Sequence, residues 1–300
     1  MKYYIILFLK GMGMGVANVI PGVSGGTIAL ITEIYEDLIT SLKSFDRNAF
    51  KLFFSLKIKE FVEYTNLYFL ASVFLGSIAS VFTIAILFEH LFSEYPILIW
   101  AFFFGLILAS IIFVGKRVEN WNMQSILALI LGTIVAFSLS LATPATENSN
   151  LLFVFICGII GISGMMLPGL SGSYILILLG NYKLLMVTAI TELNIPLLTT
   201  FFLGSVFGLM SFSHLLSWIL KEYKNATLAL LTGFILGSLK IIWPWKKITE
   251  SIIIDGYEKV ISYKIILPTT LDSDTISAIF FALVGFIIVY FLEDISKRIS

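Results

Sequence analysis

Charge, histidine and cysteine are all scarce in this chain of 300 residues. Only 13% of them are charged, the formal net charge is zero, and there are two histidines and one cysteine. A zero net charge with no basic face argues against a nucleic-acid partner, which needs cations in series to neutralise phosphates. A single cysteine, Cys157, excludes an internal disulfide, and its place in an apolar run fits a small buried side chain. Two scattered histidines and one cysteine are too few for a metal centre. There is no pair of carboxylates within an apolar span. The expectation is a protein that is not an enzyme, with no metal and no cofactor.

Apolar residues are what the chain has in plenty. They make up 58% of it, and the mean hydropathy is +0.99. Soluble domains hold about 45–50% apolar and about 25% charged residues, so this is an integral membrane protein. The first residues superficially resemble a signal peptide, but Lys10 interrupts the apolar run and no small-residue cleavage site follows. The segment is expected to be retained.

Spanning the hydrocarbon takes about 20 apolar residues. The predicted fold is all-α and membrane-embedded, in two halves. The first half (1–142) opens with a helical hairpin over 3–41, either re-entrant or spanning with the same effect on topology, folded at Pro21-Gly22-Val23-Ser24-Gly25-Gly26-Thr27. A basic, phenylalanine-rich amphipathic segment over 43–64 follows, suited to the headgroup region. Spans are then expected over 67–88, 96–114 and 123–141. The second half (151–300) repeats the plan, with a hairpin over 151–190 folded at Pro168-Gly169-Leu170-Ser171-Gly172-Ser173-Tyr174 and spans over 196–220, 226–242 and 276–292. A long mixed loop separates the last two.

The repetition can be counted. Pro21–Leu38 set against Pro168–Leu185, an offset of 147, is identical at seven of eighteen positions. Beyond the basic segment the offset becomes 128: Phe74-Leu75-Gly76-Ser77 matches Phe202-Leu203-Gly204-Ser205, Glu94-Tyr95 matches Glu222-Tyr223, and Gly105 matches Gly233. A returning hairpin plus three spans is an odd number of crossings, so the second half starts on the opposite side of the membrane. The result is an inverted repeat, the plan of many secondary transporters. With both termini cytoplasmic, thirteen Lys and Arg residues fall inside and six outside, in the sense of the positive-inside rule.

Proline breaks a helix, and glycines free the backbone after it. Opened backbone at membrane depth is tolerated only where protein or a water-filled cavity covers it. A helix starting after each motif presents amides without intrahelical partners and a dipole that favours an anion. Ser24, Thr27, Ser171 and Ser173 add hydroxyls, while Gly25, Gly26 and Gly172 leave room for a ligand to reach the backbone. Facing one another, the two turns suit a phosphate or carboxylate. The competing reading is that the small residues serve helix packing alone. Supporting candidates are Asn18, as cap or lining residue; Lys10, snorkelling or acting as counter-charge; Glu33, at a solvated hairpin end or in proton coupling; and His214, as a buried hydrogen bond to a neighbouring helix or a proton relay.

The stretch from Gly13 through Pro21 and Thr27 to Leu30, with Ile34-Tyr35-Glu36 after it, resembles the opening motif of the polyprenyl-phosphate transporter family, formerly domain of unknown function family 368. Leu167 to Tyr174, with Leu179-Gly180-Asn181-Tyr182, is similar to its second signature, and the resemblance covers nearly the whole chain. It implies a flippase in the cytoplasmic membrane that moves undecaprenyl phosphate, the carrier lipid of cell-wall synthesis, for recycling. The implied partners are the polyprenyl phosphate, membrane lipids, and a proton or sodium ion for coupling. Transport of another small anion or anionic lipid, or enzymatic action on a lipid phosphate, are the alternatives.

Overall fold

A computed structural model describes residues 2–19, 24–254, 257–268, 270 and 272–299. Ile20-Pro21-Gly22-Val23, the first part of the opening motif, lie outside the described residues. Helix α1 (Lys2–Val19) leads to this gap, and α2 (Gly25–Ile31) and α3 (Tyr35–Lys43) follow it. The basic segment forms two short helices, α4 (Arg47–Phe54) and α5 (Ile58–Tyr64). They are closed against each other by Asp46, which caps α4 and accepts a hydrogen bond from the Tyr64 hydroxyl at 2.8 Å. Phe50, Phe53, Phe54, Leu56 and Ile58 are exposed beside Lys51 and Lys57, the mixture that suits a bilayer surface.

Three long helices come next: α6 (Leu67–Glu94), α7 (Pro96–Lys116) and α8 (Met123–Leu139). Helix α6 continues through the stretch expected as a loop, so His90 is helical. The second half begins with α9 (Leu151–Met166) and α10 (Gly172–Leu178). A π-helical turn over Leu184–Thr188 runs into α11 (Ala189–Thr191), and α12 (Ile195–Glu222) and α13 (Lys224–Ser238) follow. The chain ends in α14 (Ser273–Ile299). Pro96–Lys116, Ile195–Glu222 and Ser273–Phe291 are long and apolar enough to cross a membrane. Helices α8 and α9 are apolar but shorter, and α13 at 15 residues reaches only about 22 Å.

The fold is that of an all-α membrane protein, as expected, and the long loop before α14 adds an antiparallel pair, β1 (Lys246–Ile254) and β2 (Tyr257–Ile265). β-Branched residues are dense in both strands, and Asp255-Gly256 separates them in sequence, a strong short-range hairpin signal.

The two hairpins match in detail. Helices α2 and α10 are each seven residues long and begin and end 147 positions apart. Both close with the same pair of backbone bonds, Glu33 N to Leu30 O and Ile34 N to Ala29 O in one, Gly180 N to Ile177 O and Asn181 N to Leu176 O in the other. Each closure puts one residue in the left-handed region, Glu33 at φ 62° and Gly180 at φ 75°. Glycine adopts that conformation freely; glutamate does not.

Four helix pairs make up the body: α1 with α6, α9 with α12, α7 with α14 and α8 with α13. In all four, glycine lets backbones meet, as expected where packing rather than hydrophobicity drives association. Gly76 lies on the Phe8 carbonyl and Gly204 on that of Phe155; Gly105 lies on Ala282 and Gly233 on Leu129; Gly132 lies on Leu230 and Gly285 on Phe102. The pairs run parallel. Gly11 meets Val73 and Gly15 meets Ser77, four residues on in both helices. Phe155 meets Gly204 and Ile159 meets Gly208. Gly105 meets Ala282, while the Phe113 ring meets Tyr290, eight residues on in both. In α8 and α13, Leu129 meets Gly233 and Ala136 meets Gly237.

Candidate functional site

The two motifs do come together. Ser24 precedes α2 in extended backbone and accepts a hydrogen bond from Gly26 N at 3.1 Å. Its hydroxyl also faces the end of α9, 3.1 Å from the Leu167 carbonyl and 3.2 Å from that of Met165. Thr27, fully buried, accepts from the Gly169 amide at 3.1 Å. The Tyr35 hydroxyl donates to the Met166 carbonyl at 3.1 Å. Four residues of the second hairpin, 165–167 and 169, are thereby tied to the first. The hydrogen bonds are local in geometry and long-range in sequence.

This arrangement uses up the donors of the first motif. The opening amides of α2 are all satisfied within the protein: Gly25 N by the Asn18 carboxamide at 2.8 Å, Gly26 N by Ser24, and Thr27 N by the Ser24 carbonyl at 2.9 Å. Asn18 is therefore a cap on the hairpin, one of its two expected roles. The expected ligand space at the glycines is filled by protein. A Cβ on Gly26 would stand 2.8 Å from the Met166 carbonyl, on Gly25 2.9 Å from Asn18, and on Gly172 2.6 Å from the Gly161 carbonyl. At these three positions the small residues serve close packing.

The second motif is different. Ser171 stands where Ser24 stands but makes no side-chain cap on α10. Its hydroxyl instead lies 2.8 Å from that of Ser173, either being able to donate. Ser171 is buried and Ser173 is exposed. A hydroxyl pair held this way offers one donor to an incoming oxygen while the partner orients it. Gly169 sits at φ 77° on the backbone of Phe234 and Ile235, which fixes the turn that carries the pair.

The supporting candidates fall in two places. Lys10 donates from Nζ to the Thr32 carbonyl at 2.7 Å, across the end of α2. Glu33, the next residue, receives the Arg117 guanidinium at 2.9 Å. Lys10 and Glu33 thus sit together at the break between α2 and α3, away from the two serine turns. His214 departs from expectation: it is exposed, and its ring nitrogen Nδ1 bonds the Met210 carbonyl of its own helix at 2.8 Å, not a neighbouring one. Arg117 was not among the residues picked from the sequence. It stood there as one more positive charge beside Lys116, and only the fold brings it to Glu33.

Comparison with known proteins gives a consistent result. The profile of a family described as undecaprenyl phosphate translocase-like matches residues 14–260. A Vibrio cholerae protein named polyprenyl-phosphate transporter is 41% identical over 244 residues, covering 81% of this chain and 79% of its own. A Staphylococcus aureus protein of the same name is 29% identical over 256 residues, covering 80% and 86%. No solved structure matches the chain.

Proposed function

Since the chain belongs to the undecaprenyl phosphate translocase-like family, we propose that it is a membrane transporter of a polyprenyl phosphate. The observation that carries this is the 41% identity, over about four fifths of both chains, to a protein named polyprenyl-phosphate transporter. The physical problem is the head group. Carrying a bare phosphate through hydrocarbon costs tens of kcal/mol by idealised Born estimates, whereas the polyprenyl tail is at home there. A transporter of this kind needs only a polar route at membrane depth and a lateral opening for the tail.

We assign the head group to the second motif, at Ser171 and Ser173, where the hydroxyl pair leaves Ser173 exposed and the first turn of α10 carries no side-chain cap. Ser24, Gly25, Gly26 and Thr27 act beneath it as the support that holds the turn in place. We further infer that the two halves are inverted copies. Helix α7 corresponds to α13 by the offset of 128 and α8 to α14 by its place as the last long helix of each half, while α7 runs parallel to α14 and α8 parallel to α13. Helices α7 and α8 are joined by a short connection and so run oppositely. Each helix is then antiparallel to its counterpart, as inversion requires, and an inverted pair can present one site to either side in turn. On this reading the protein lies in the cytoplasmic membrane with both termini inside and moves undecaprenyl phosphate from the outer to the inner leaflet for reuse in cell-wall synthesis, with a proton or sodium gradient as the drive.

The test is reconstitution in liposomes with labelled undecaprenyl phosphate, following its accessibility at each leaflet under imposed proton or sodium gradients. Leaflet exchange by wild type and its loss in a Ser171→Ala/Ser173→Ala variant is the expected result. No exchange under any gradient rules the function out. Exchange of anionic phospholipids at an equal rate would reassign the substrate to anionic lipid in general.

A further inference from the structure

The break between α2 and α3 gathers charge that the serine turns lack. Lys10 comes from the middle of α1, Glu33 from the break itself, and Arg117 from the end of α7. Lys10 lies within electrostatic range of both others and of Asp37. The Glu33–Arg117 pair is partly open, with side-chain exposures of 33% and 29%. Among the described residues the guanidinium makes this one hydrogen bond, from Nη2. An Arg fork can offer an anion two parallel N–H groups, so a single bond leaves it underused.

Glu33 also stands in left-handed backbone, where the matching position of the second hairpin has Gly180. A side chain kept at a strained position points to a task for that side chain. Here the carboxylate fills the place of an anion between two cations. A phosphomonoester carries the same sign and, like a carboxylate, can accept the two parallel N–H groups of a guanidinium, with more charge.

We propose that Arg117, with Lys10, forms a second phosphate station at the cytoplasmic end of the first hairpin, and that Glu33 occupies it as an internal stand-in until a lipid-borne monophosphate displaces it. The inference rests on the transporter reading above and adds a landing point on the releasing side, separate from Ser171 and Ser173. A head group leaving the serine turn then exchanges with Glu33 and not with bulk water. The carboxylate re-forms the pair as the lipid departs, which keeps release from being limited by a tight guanidinium complex.

The experiment measures binding of farnesyl phosphate, with farnesol as the uncharged control, to the full chain in nanodiscs. Arg117→Gln should weaken farnesyl phosphate binding by about tenfold, as loss of a charge-assisted pair does, and leave farnesol unchanged. Glu33→Gln should strengthen it by about threefold or more, because the competing carboxylate is gone. Arg117→Lys keeps the charge without the planar fork and should fall between wild type and Arg117→Gln. Both Gln variants break the same ion pair, so a purely structural role predicts shifts in the same direction; opposite signs carry the proposal. Equal or like-signed effects overturn it while wild-type binding leaves the transporter reading standing. Equal competition by inorganic phosphate overturns the lipid assignment, and no binding of farnesyl phosphate by wild type overturns both readings.

Discussion

The Thr27 hydroxyl accepts a hydrogen bond from the Gly169 amide at 3.1 Å, joining residues 142 positions apart in the buried centre of the molecule. With the Ser24 contacts to Met165 and Leu167 it makes the first hairpin a template for the turn of the second. Thr27→Val keeps the shape but leaves the Gly169 amide without its acceptor. An unsatisfied buried donor costs about 1–3 kcal/mol. Thermal unfolding in detergent should show Thr27→Val destabilised by that order and Thr27→Ser close to wild type. Equal unfolding temperatures for all three would remove the bond from the account.

Much of this fold is legible in residue order. The offsets of 147 and 128 predict which elements correspond, and α6 and α12 begin and end 128 positions apart. Even the residues meeting Gly76 and Gly204, Phe8 and Phe155, are 147 apart. What the sequence does not reveal is what each hydroxyl faces. Ser24 and Ser171 are the same residue in the same motif, yet one caps its helix and reaches across to α9 while the other pairs with Ser173. Position 26 is glycine where position 173 is serine, and that difference supplies Ser171 with a local partner that Ser24 lacks. Arg117 was hidden for another reason: its partner lies 84 positions away, and spacing within a segment carries no trace of such a pair. The strand pair was missed because charged residues among its β-branched ones read as loop.

Gly169 should tolerate no side chain. Its φ of 77° disfavours any other residue, and a Cβ would stand 2.7 Å from the Phe234 carbonyl oxygen. The left-handed conformation alone costs about 1–2 kcal/mol, and the clash adds to it. Gly169→Ala is expected to unfold at a lower temperature than Thr27→Val, measured side by side.

Support and contact separate by mutation. Ser24→Ala removes a helix cap, worth about 1 kcal/mol, together with its bonds to α9, so it should lower stability and transport together. Ser171→Ala/Ser173→Ala removes a pair whose hydroxyls bond chiefly one another. It should leave the unfolding temperature near wild type while leaflet exchange falls. If the double variant unfolds early and the Ser24 variant does not, the two motifs have the opposite roles.

The surface lobe of α4 and α5 should respond to acid. Slight burial of Asp46 favours its neutral form, but the Tyr64 hydroxyl and the Ala49 and Asn48 amides outweigh it and hold the carboxyl below the ordinary 3.8. With the folded value depressed, the contribution is complete above 3.8 and disappears as pH falls through the lower folded value. Hydrogen exchange across Arg47–Phe54 should be slow at pH 5 and accelerate only below pH 3.8. Asp46→Ala should exchange fast at both, and a lobe equally protected in that variant would show the carboxylate to be idle.

The glycine seams of α7 with α14 and of α8 with α13 each join one helix from the first half to one from the second. Neither half can therefore close its own body, since each carries two seams whose other edge is in the remaining chain. Severed in the stretch Ala142–Asn150, the two pieces should find each other when made separately and inserted in opposite senses. On the inverted-copy proposal above, a single half, duplicated and inserted both ways round, offers itself both edges of each seam. The architecture is then that of an antiparallel pair whose members have been written into one polypeptide.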